Sequence, residues 1–222
     1  MNCIVTAGPT YEPLDNVRRL TNFSTGKLGV ELANYLTARG HEVTLFVGEQ
    51  ATHPGERQAT HIRTFSTTAS LRAGLLVLKD RPVDAVFHAA AVSDFTFGTV
   101  WQRSAAGELS GITAGKIPTR AGGLLVELLP TPKLILELRG WFPQARLAGW
   151  KYEVDGGHEG VLHAARRQLA EARTDLCVAN GPAYGPGFGL VTPHGEKRVK
   201  DAEALYEGLG QFIHPVHGEL MR

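Results

Sequence analysis

The 222-residue chain sets 23 Lys and Arg against 22 Asp and Glu, a formal net charge of +1, so no overall field draws it to nucleic acid and a small anionic ligand needs local basic residues. Its 43% hydrophobic content suffices for one α/β domain over residues 1–222, with no repeat or linker to divide it. Cys3 and Cys177 each lie in an apolar run, which excludes a disulfide framework or a cysteine zinc cage and predicts buried, reduced thiols.

The chain runs straight into a strand at residues 3–6 with no signal-peptide pattern before it. No apolar stretch reaches the ~18 residues of a membrane span, and the expectation is a soluble cytoplasmic protein with no membrane partner. Residues 27–39 predict a helix stopped by Gly40, 41–47 a second strand, 70–79 a helix, and 83–90 a third strand ending in small residues. This βαβαβ rhythm predicts a parallel sheet with right-handed crossovers. Residues 95–123, rich in Gly and mixed in polarity, interrupt the rhythm and read as a long loop serving as a lid or insertion. A strand resumes at 124–128, and Thr131 and Pro132 predict the N-cap and first position of a helix through Leu138. A strand at 147–150, a helix at 161–172 and a strand at 175–179 follow. Residues 189–192 and 197–199, joined by a turn at Pro193–Glu196, predict a hairpin, and 202–212 a closing helix. The fold class is therefore α/β and Rossmann-like: a mostly parallel sheet flanked by helices, with a C-terminal antiparallel hairpin.

Ligands of open α/β sheets bind beyond the carboxyl ends of the strands. The first strand runs into Ala7-Gly8-Pro9-Thr10, and the first helix is preceded by Asn22-Phe23-Ser24-Thr25-Gly26-Lys27. Small hydroxyl residues and Gly at a helix start leave N–H donors at the positive end of its dipole, which fits a phosphate cradle. The same residues also fit an ordinary Ser/Thr cap beside a packing Gly. A Walker A loop is excluded, because Thr21 occupies the place of its first Gly and Leu28 that of its Ser/Thr. With one Gly after the first strand, the dinucleotide fingerprint is missing too, which disfavours an NAD(P)-dependent reductase. His88, within a strand, reads as a satisfied core histidine, and the other histidines lack metal-binding spacing.

Taken together, Thr6-Ala7-Gly8-Pro9-Thr10, Val17-Arg18-Arg19-Leu20-Thr21-Asn22-Phe23-Ser24-Thr25-Gly26-Lys27-Leu28-Gly29, Ala89-Ala90-Ala91-Val92-Ser93-Asp94-Phe95, Lys116-Ile117, Leu129-Pro130-Thr131-Pro132-Lys133 and Val178-Ala179-Asn180 resemble the phosphopantothenate–cysteine ligase family, in order and approximate spacing from about residue 4 to 200. The resemblance implies a ligase that joins 4′-phosphopantothenate to cysteine in coenzyme A biosynthesis through an acyl-nucleotidyl intermediate. It implies CTP or ATP as co-substrate, CTP ahead of ATP, together with Mg²⁺. It also implies a homodimer, for which the late hairpin offers a contact. The first segment is specific, and the later ones corroborate it.

By the same resemblance, Asn22 handles the acyl-nucleotide, Arg18 binds substrate, and Lys116 neutralises phosphate charge during nucleotidyl transfer. Nucleotide binding falls to Gly8, Pro9, Thr10, Ser24, Thr25, Gly26, Lys27, Ala89, Ala90, Asp94, Thr131, Pro132, Trp150 and Arg167, with no metal ligands assigned. Asp94 would contact ribose or metal, although it also suits a helix cap, and Asn22 alone would suit an Asx turn. Without the resemblance, Lys116 reads as a solvated loop charge. Some members carry a fused flavin-dependent decarboxylase; this sequence resembles a stand-alone form, for which no flavin is expected. It departs from the family at Tyr11, where many members have Arg, and at Arg166, Arg167, Gln168 and Arg173, where late-helix lysines are expected. Those departures keep open a non-catalytic nucleotide-binding sensor.

Overall fold

The computed structural model describes residues 1–118 and 122–214. Its elements in chain order are β1 (Asn2–Ala7), β2 (Tyr11–Pro13), β3 (Arg19–Thr21), α1 (Lys27–Ala38), β4 (Glu42–Gly48), β5 (His61–Phe65), α2 (Thr68–Leu76), β6 (Ala85–His88), β7 (Phe95–Arg103), β8 (Leu109–Gly111), β9 (Gly123–Pro130), α3 (Leu134–Trp141), β10 (Arg146–Tyr152), α4 (Gly157–Ala172), β11 (Leu176–Asn180), β12 (Phe188–Thr192), β13 (Gly195–Val199) and α5 (Ala202–Ile213).

Eight strands form the central sheet in the order β13-β12-β11-β10-β6-β1-β4-β5. Pairing is parallel from β5 to β11, and β12 and β13 add antiparallel at the edge as the expected hairpin. Alternation along the strands explains why both faces are covered. Cys3, Val5 and Ala7 of β1, and Val43, Leu45 and Val47 of β4, join one core with α1 and α5. Ile4 and Phe46, one residue out of phase, join the opposite core with α2 and α3. Cys3 and Cys177 are buried and unpaired, and burial pushes their thiols up to about 11 and about 12.

The sequence reading fails where hydrophobic alternation is weak. In β5, His61, Ile62 and Thr64 are exposed at the sheet edge, so no apolar period marks it. Residues 95–123 are not a loop in the main: β7, β8 and β9 form a separate antiparallel sheet, with β7 in the middle. Residues 119–121 of the expected lid lie outside the described residues. The predicted cap at Thr131 and Pro132 is also displaced, since α3 starts at Leu134 with Lys133 at its N-cap. Thr131 is 7% exposed, and its hydroxyl donates instead to the Ser93 carbonyl, a tertiary bond that removes it from capping.

Glu12, 6% exposed, joins three elements: its carboxylate accepts from the Thr68 N–H at 3.0 Å and from the Thr96 hydroxyl at 3.3 Å. This fixes the β2–β3 hairpin to the start of α2 and to the root of β7. Helix α1 lies against β1 so closely that a Cβ at Gly29 would stand 2.6 Å from the Ala7 Cβ and 3.0 Å from the Thr6 carbonyl oxygen. Replacing Gly29 with Ala is therefore expected to destabilise the fold by about 1–3 kcal/mol in urea unfolding, through overpacking at a backbone that has no room to yield.

His88 is the core histidine that its strand position predicts. The Thr6 hydroxyl lies 2.9 Å from Nδ1 and accepts from the Ala90 N–H at 3.1 Å, so its own proton is free for the imidazole. Burial lowers the His88 pKa from 6.5 to about 4. The unfolded chain thus binds a proton that the folded chain rejects, and stability falls as pH drops through the window from about 6.5 to about 4. Urea unfolding at about pH 7.5 and about pH 5 should show this group contributing roughly 2 kcal/mol of difference, which His88→Asn should remove.

Candidate functional site

The chain leaves β1 for β4 and β5 on one side, then returns to β6 and moves to β10 and β11 on the other. Strand order therefore reverses between β1 and β6, the place where an open parallel sheet leaves a crevice at its carboxyl edge. Two turns meet there. The Gly8 carbonyl accepts from the Ala91 N–H at 3.0 Å, and the Ala91 carbonyl accepts from the Thr10 N–H at 3.1 Å, extending the β1–β6 pairing as a bridge between Pro9 and Ala91. Ala89 and Ala90 form the inner part of the second turn, bonded to the Thr6 carbonyl and hydroxyl respectively.

Asn22 joins this point from the end of the β2–β3 hairpin. Its side-chain N–H donates to the Ala91 carbonyl at 3.1 Å, and the residue is exposed. One amide proton is thereby used to orient the group, and the second proton and the side-chain oxygen remain for a ligand. Phe23 beside it is fully exposed. Gly26, with φ of 80°, then starts α1. A Cβ there would lie 3.2 Å from the Gly8 nitrogen, and one at Gly8, also at φ 80°, would stand 2.7 Å from the Ala51 Cβ. The tight contact of Gly8 with Gly26 brings the helix N-terminus to the first turn. No side chain caps α1 in the usual way: Thr25 Oγ1 accepts from the Lys27 N–H at 3.3 Å, and the amides of Leu28 and Gly29 have no acceptor among the described residues. Open amides at a positive dipole end attract an anion. Ser24 is half-buried beside them, while the Lys27 ammonium turns to Glu31 at 3.8 Å.

Farther along the crevice, the Thr10 hydroxyl accepts from the Ser93 N–H at 2.7 Å, and the Asp94 carbonyl accepts from the Thr131 N–H at 3.0 Å. The exposed Asp94 carboxylate pairs with Lys133, next to Pro132. At the carboxyl ends of β10 and β11, the Trp150 indole N–H and Asn180 Oδ1 are buried with no partner among the described residues. A buried donor and acceptor left unmatched at a cleft are suited to a ligand's polar edge. Asn180 carried a signal in the sequence, as the polar end of an apolar strand, but received no site role there.

Arg18 is 35% exposed at its side chain, and its Nη2 donates to Asp15 Oδ2 at 2.5 Å and to the Ile117 carbonyl at 2.8 Å. Lys116 is exposed immediately before Ile117, in a segment bonded to the loop that joins β2 and β3. Arg167 is not brought to the crevice. A helix that follows a parallel strand begins at the carboxyl edge and runs back, which puts Arg167 ~15 Å along α4 from Gly157. Its neighbour Gln168 reaches Cys177, the second residue of β11, at 3.3 Å. Among the described residues, no group of three His, Cys, Asp or Glu side chains is placed to hold a metal, and no helix is long and apolar enough to cross a membrane.

Known proteins share this fold and sequence pattern. Residues 1–195 match the family model described as the DNA/pantothenate metabolism flavoprotein C-terminal domain, and the chain belongs to that family. It is 36% identical over 178 residues to a coenzyme A biosynthesis bifunctional protein CoaBC of Thermococcus kodakarensis, covering 80% of this chain and 40% of that protein. It is 35% identical over 190 residues to a protein of the same name from Bacillus subtilis, covering 85% of this chain and 42% of that one. The chain thus spans about two fifths of the length of these relatives. Among solved structures, the DNA/pantothenate metabolism flavoprotein of Streptococcus pneumoniae superposes with a TM-score of 0.87 at 27% identity, covering 98% of this chain and 100% of that one.

Proposed function

We propose that this protein is a phosphopantothenate–cysteine ligase of coenzyme A biosynthesis, with CTP as co-substrate ahead of ATP. The observation that carries the proposal is the meeting, on the Ala91 carbonyl, of the first turn and the Asn22 amide beside the open N-terminus of α1. That arrangement supplies donors for phosphate and a neutral donor for an acyl oxygen within one crevice. Family membership and the names of the relatives support the same reading.

In the first half-reaction, a 4′-phosphopantothenate carboxylate oxygen attacks the nucleotide α-phosphorus, and pyrophosphate leaves. Amides at the start of α1 bind phosphate oxygens, and the Lys116 ammonium offsets charge that develops on them. In the second, the cysteine amine attacks the acyl carbonyl, loses a proton, and the nucleoside monophosphate leaves. Asn22 donates to the developing oxyanion without altering the charge of the site. Trp150 and Asn180 offer a donor and an acceptor to the base. Magnesium in such reactions is carried largely by phosphate oxygens and water, with one or two carboxylates. The exposed Asp94, at the crevice and opposite Lys133, fits that secondary role.

We also propose a homodimer, with its contact on the β7–β9 arm in place of the late hairpin. Phe95, Leu109, Leu125, Leu128 and Leu129 are 41–53% exposed on the arm, whereas Leu190, Val191 and Val199 of the hairpin are turned into the protein's own core. A cytoplasmic location is consistent with coenzyme A synthesis.

Incubation of the protein with 4′-phosphopantothenate, cysteine, Mg²⁺ and either CTP or ATP should release pyrophosphate, faster with CTP; no release with either nucleotide overturns the ligase reading. Nucleotide binding without release would instead support a sensor. Asn22→Ala should fold normally and lower product formation by about 100-fold, with the acyl-nucleotide accumulating. Lys116→Ala should slow pyrophosphate release while supplied acyl-nucleotide still reacts with cysteine.

A further inference from the structure

The loop between β2 and β3 carries the carboxylate of Asp15, the partner of Arg18. The Asp15 side chain is 0% exposed although it sits in a surface loop. Its two oxygens have separate tasks. Oδ1 accepts from the N–H groups of Val17 at 2.9 Å and Arg18 at 2.7 Å, closing the loop on itself. Oδ2 accepts from Arg18 Nε at 3.1 Å and Nη2 at 2.5 Å, and from the Ile117 N–H at 3.1 Å, 102 residues away in sequence.

Two further bonds run between the same segments. The Asn16 N–H donates to the Gly115 carbonyl at 2.9 Å, and Arg18 Nη2 donates to the Ile117 carbonyl at 2.8 Å. Gly115 and Ile117 are thus both tied to residues 15–18, and Lys116 is the residue between them. Ile117 is 3% exposed and anchors the strap, while Lys116 is exposed and has no ion pair among the described residues.

We infer that Asp15 is a positioning residue, whose Oδ2 holds the Lys116 strap against the Arg18 loop and so sets the ammonium at the crevice before any ligand binds. This rests on the ligase reading of the site, in which Lys116 meets the phosphates. A strap fixed at both neighbours of a lysine limits where its Cα can travel and leaves only side-chain torsions to be ordered on binding. That is the form of preorganisation on which electrostatic catalysis depends. The Arg18 guanidinium, assisted by the Ile117 N–H, holds the Asp15 carboxyl far below the usual carboxylate range, so the clamp stays ionised near neutral pH.

Asp15→Asn separates the two tasks of this side chain. The retained amide oxygen can still accept from Val17 and Arg18, preserving the local turn, but an NH₂ replaces Oδ2 and faces the donors of Ile117 and Arg18. The expected result is an unfolding midpoint close to that of the wild type, Ile117 amide exchange about tenfold faster, and kcat for pyrophosphate release lower by about 100-fold. The KM for cysteine in its reaction with supplied acyl-nucleotide should not change.

The deciding measurement is a double-mutant cycle on pyrophosphate release. If Asp15 acts through Lys116, adding Asp15→Asn to Lys116→Ala should change the rate by less than about twofold. An undiminished effect in the Lys116→Ala background would mean that Asp15 acts through Arg18 or general stability, and would overturn the inference while leaving the ligase reading in place. A wild-type rate for Asp15→Asn alone would do the same. A wild-type protein with no pyrophosphate release would remove the ligase reading, and this inference with it. The wild-type protein also tests the clamp without any variant: an Ile117 amide that exchanges as freely as an unstructured one, in the absence of ligand, would overturn it.

Discussion

Parallel pairing of β1 with β6 is the contact on which the rest of the site depends. Crossovers leave these two strands in opposite directions across the sheet, which opens a crevice between them at their carboxyl ends. Instead of separating after Thr6 and His88, the two chains continue side by side through the bonds among Gly8, Thr10 and Ala91. Because the turns are bonded backbone to backbone, their geometry does not rely on long side chains. Asn22 and Ser93 then attach to the same turns, which places ligand-facing groups on a frame already fixed by the sheet.

Small residues make that frame possible. Gly29 approaches Ala7 at a distance that leaves no room for a Cβ, and Gly26, at positive φ, lies so near Gly8 that a Cβ would be crowded at 3.2 Å. The consequence is an α1 N-terminus placed at the turn after β1, with its free amides directed to the crevice mouth. A Gly at the N-cap in place of a capping side chain costs only about a few tenths of a kcal/mol and leaves those donors open.

The second sheet meets the crevice through polar contacts. Glu12 binds the β2–β3 hairpin to the root of β7, and Asp15 binds its tip to the strap after β8. Both are acidic side chains in a short hairpin, nearly or wholly buried, and each accepts from a segment more than 80 residues away. The arm is thus held at two points while Phe95, Leu109, Leu125, Leu128 and Leu129 stay exposed on it.

Short continuous apolar runs, separated by helical periods, indicated the parallel sheet, its helices and the late hairpin, because a strand covered on both faces, as in Cys3–Ala7 and Glu42–Gly48, is apolar along most of its length. Motif order pointed to the family, and the turns it singled out are ones that the structure brings together at Ala91. Of the arm, β9 was legible as the strand at 124–128, whereas β7 and β8 were not, because half-exposed residues and interspersed Gly without a continuous buried face look like a loop. The position of Arg167 well along α4 was not legible, because a motif carries no record of depth along a helix, which only the direction of α4 relative to β11 supplies. Thr131 carried a local capping signal that a tertiary bond to Ser93 overrode. Asp15 had no distinguishing neighbour in sequence, since its partner Ile117 lies 102 residues on. Local periodicity and backbone preference are properties of contiguous residues, whereas the joining of a carboxylate to a distant amide depends on how the chain closes, and the tertiary structure alone decided it.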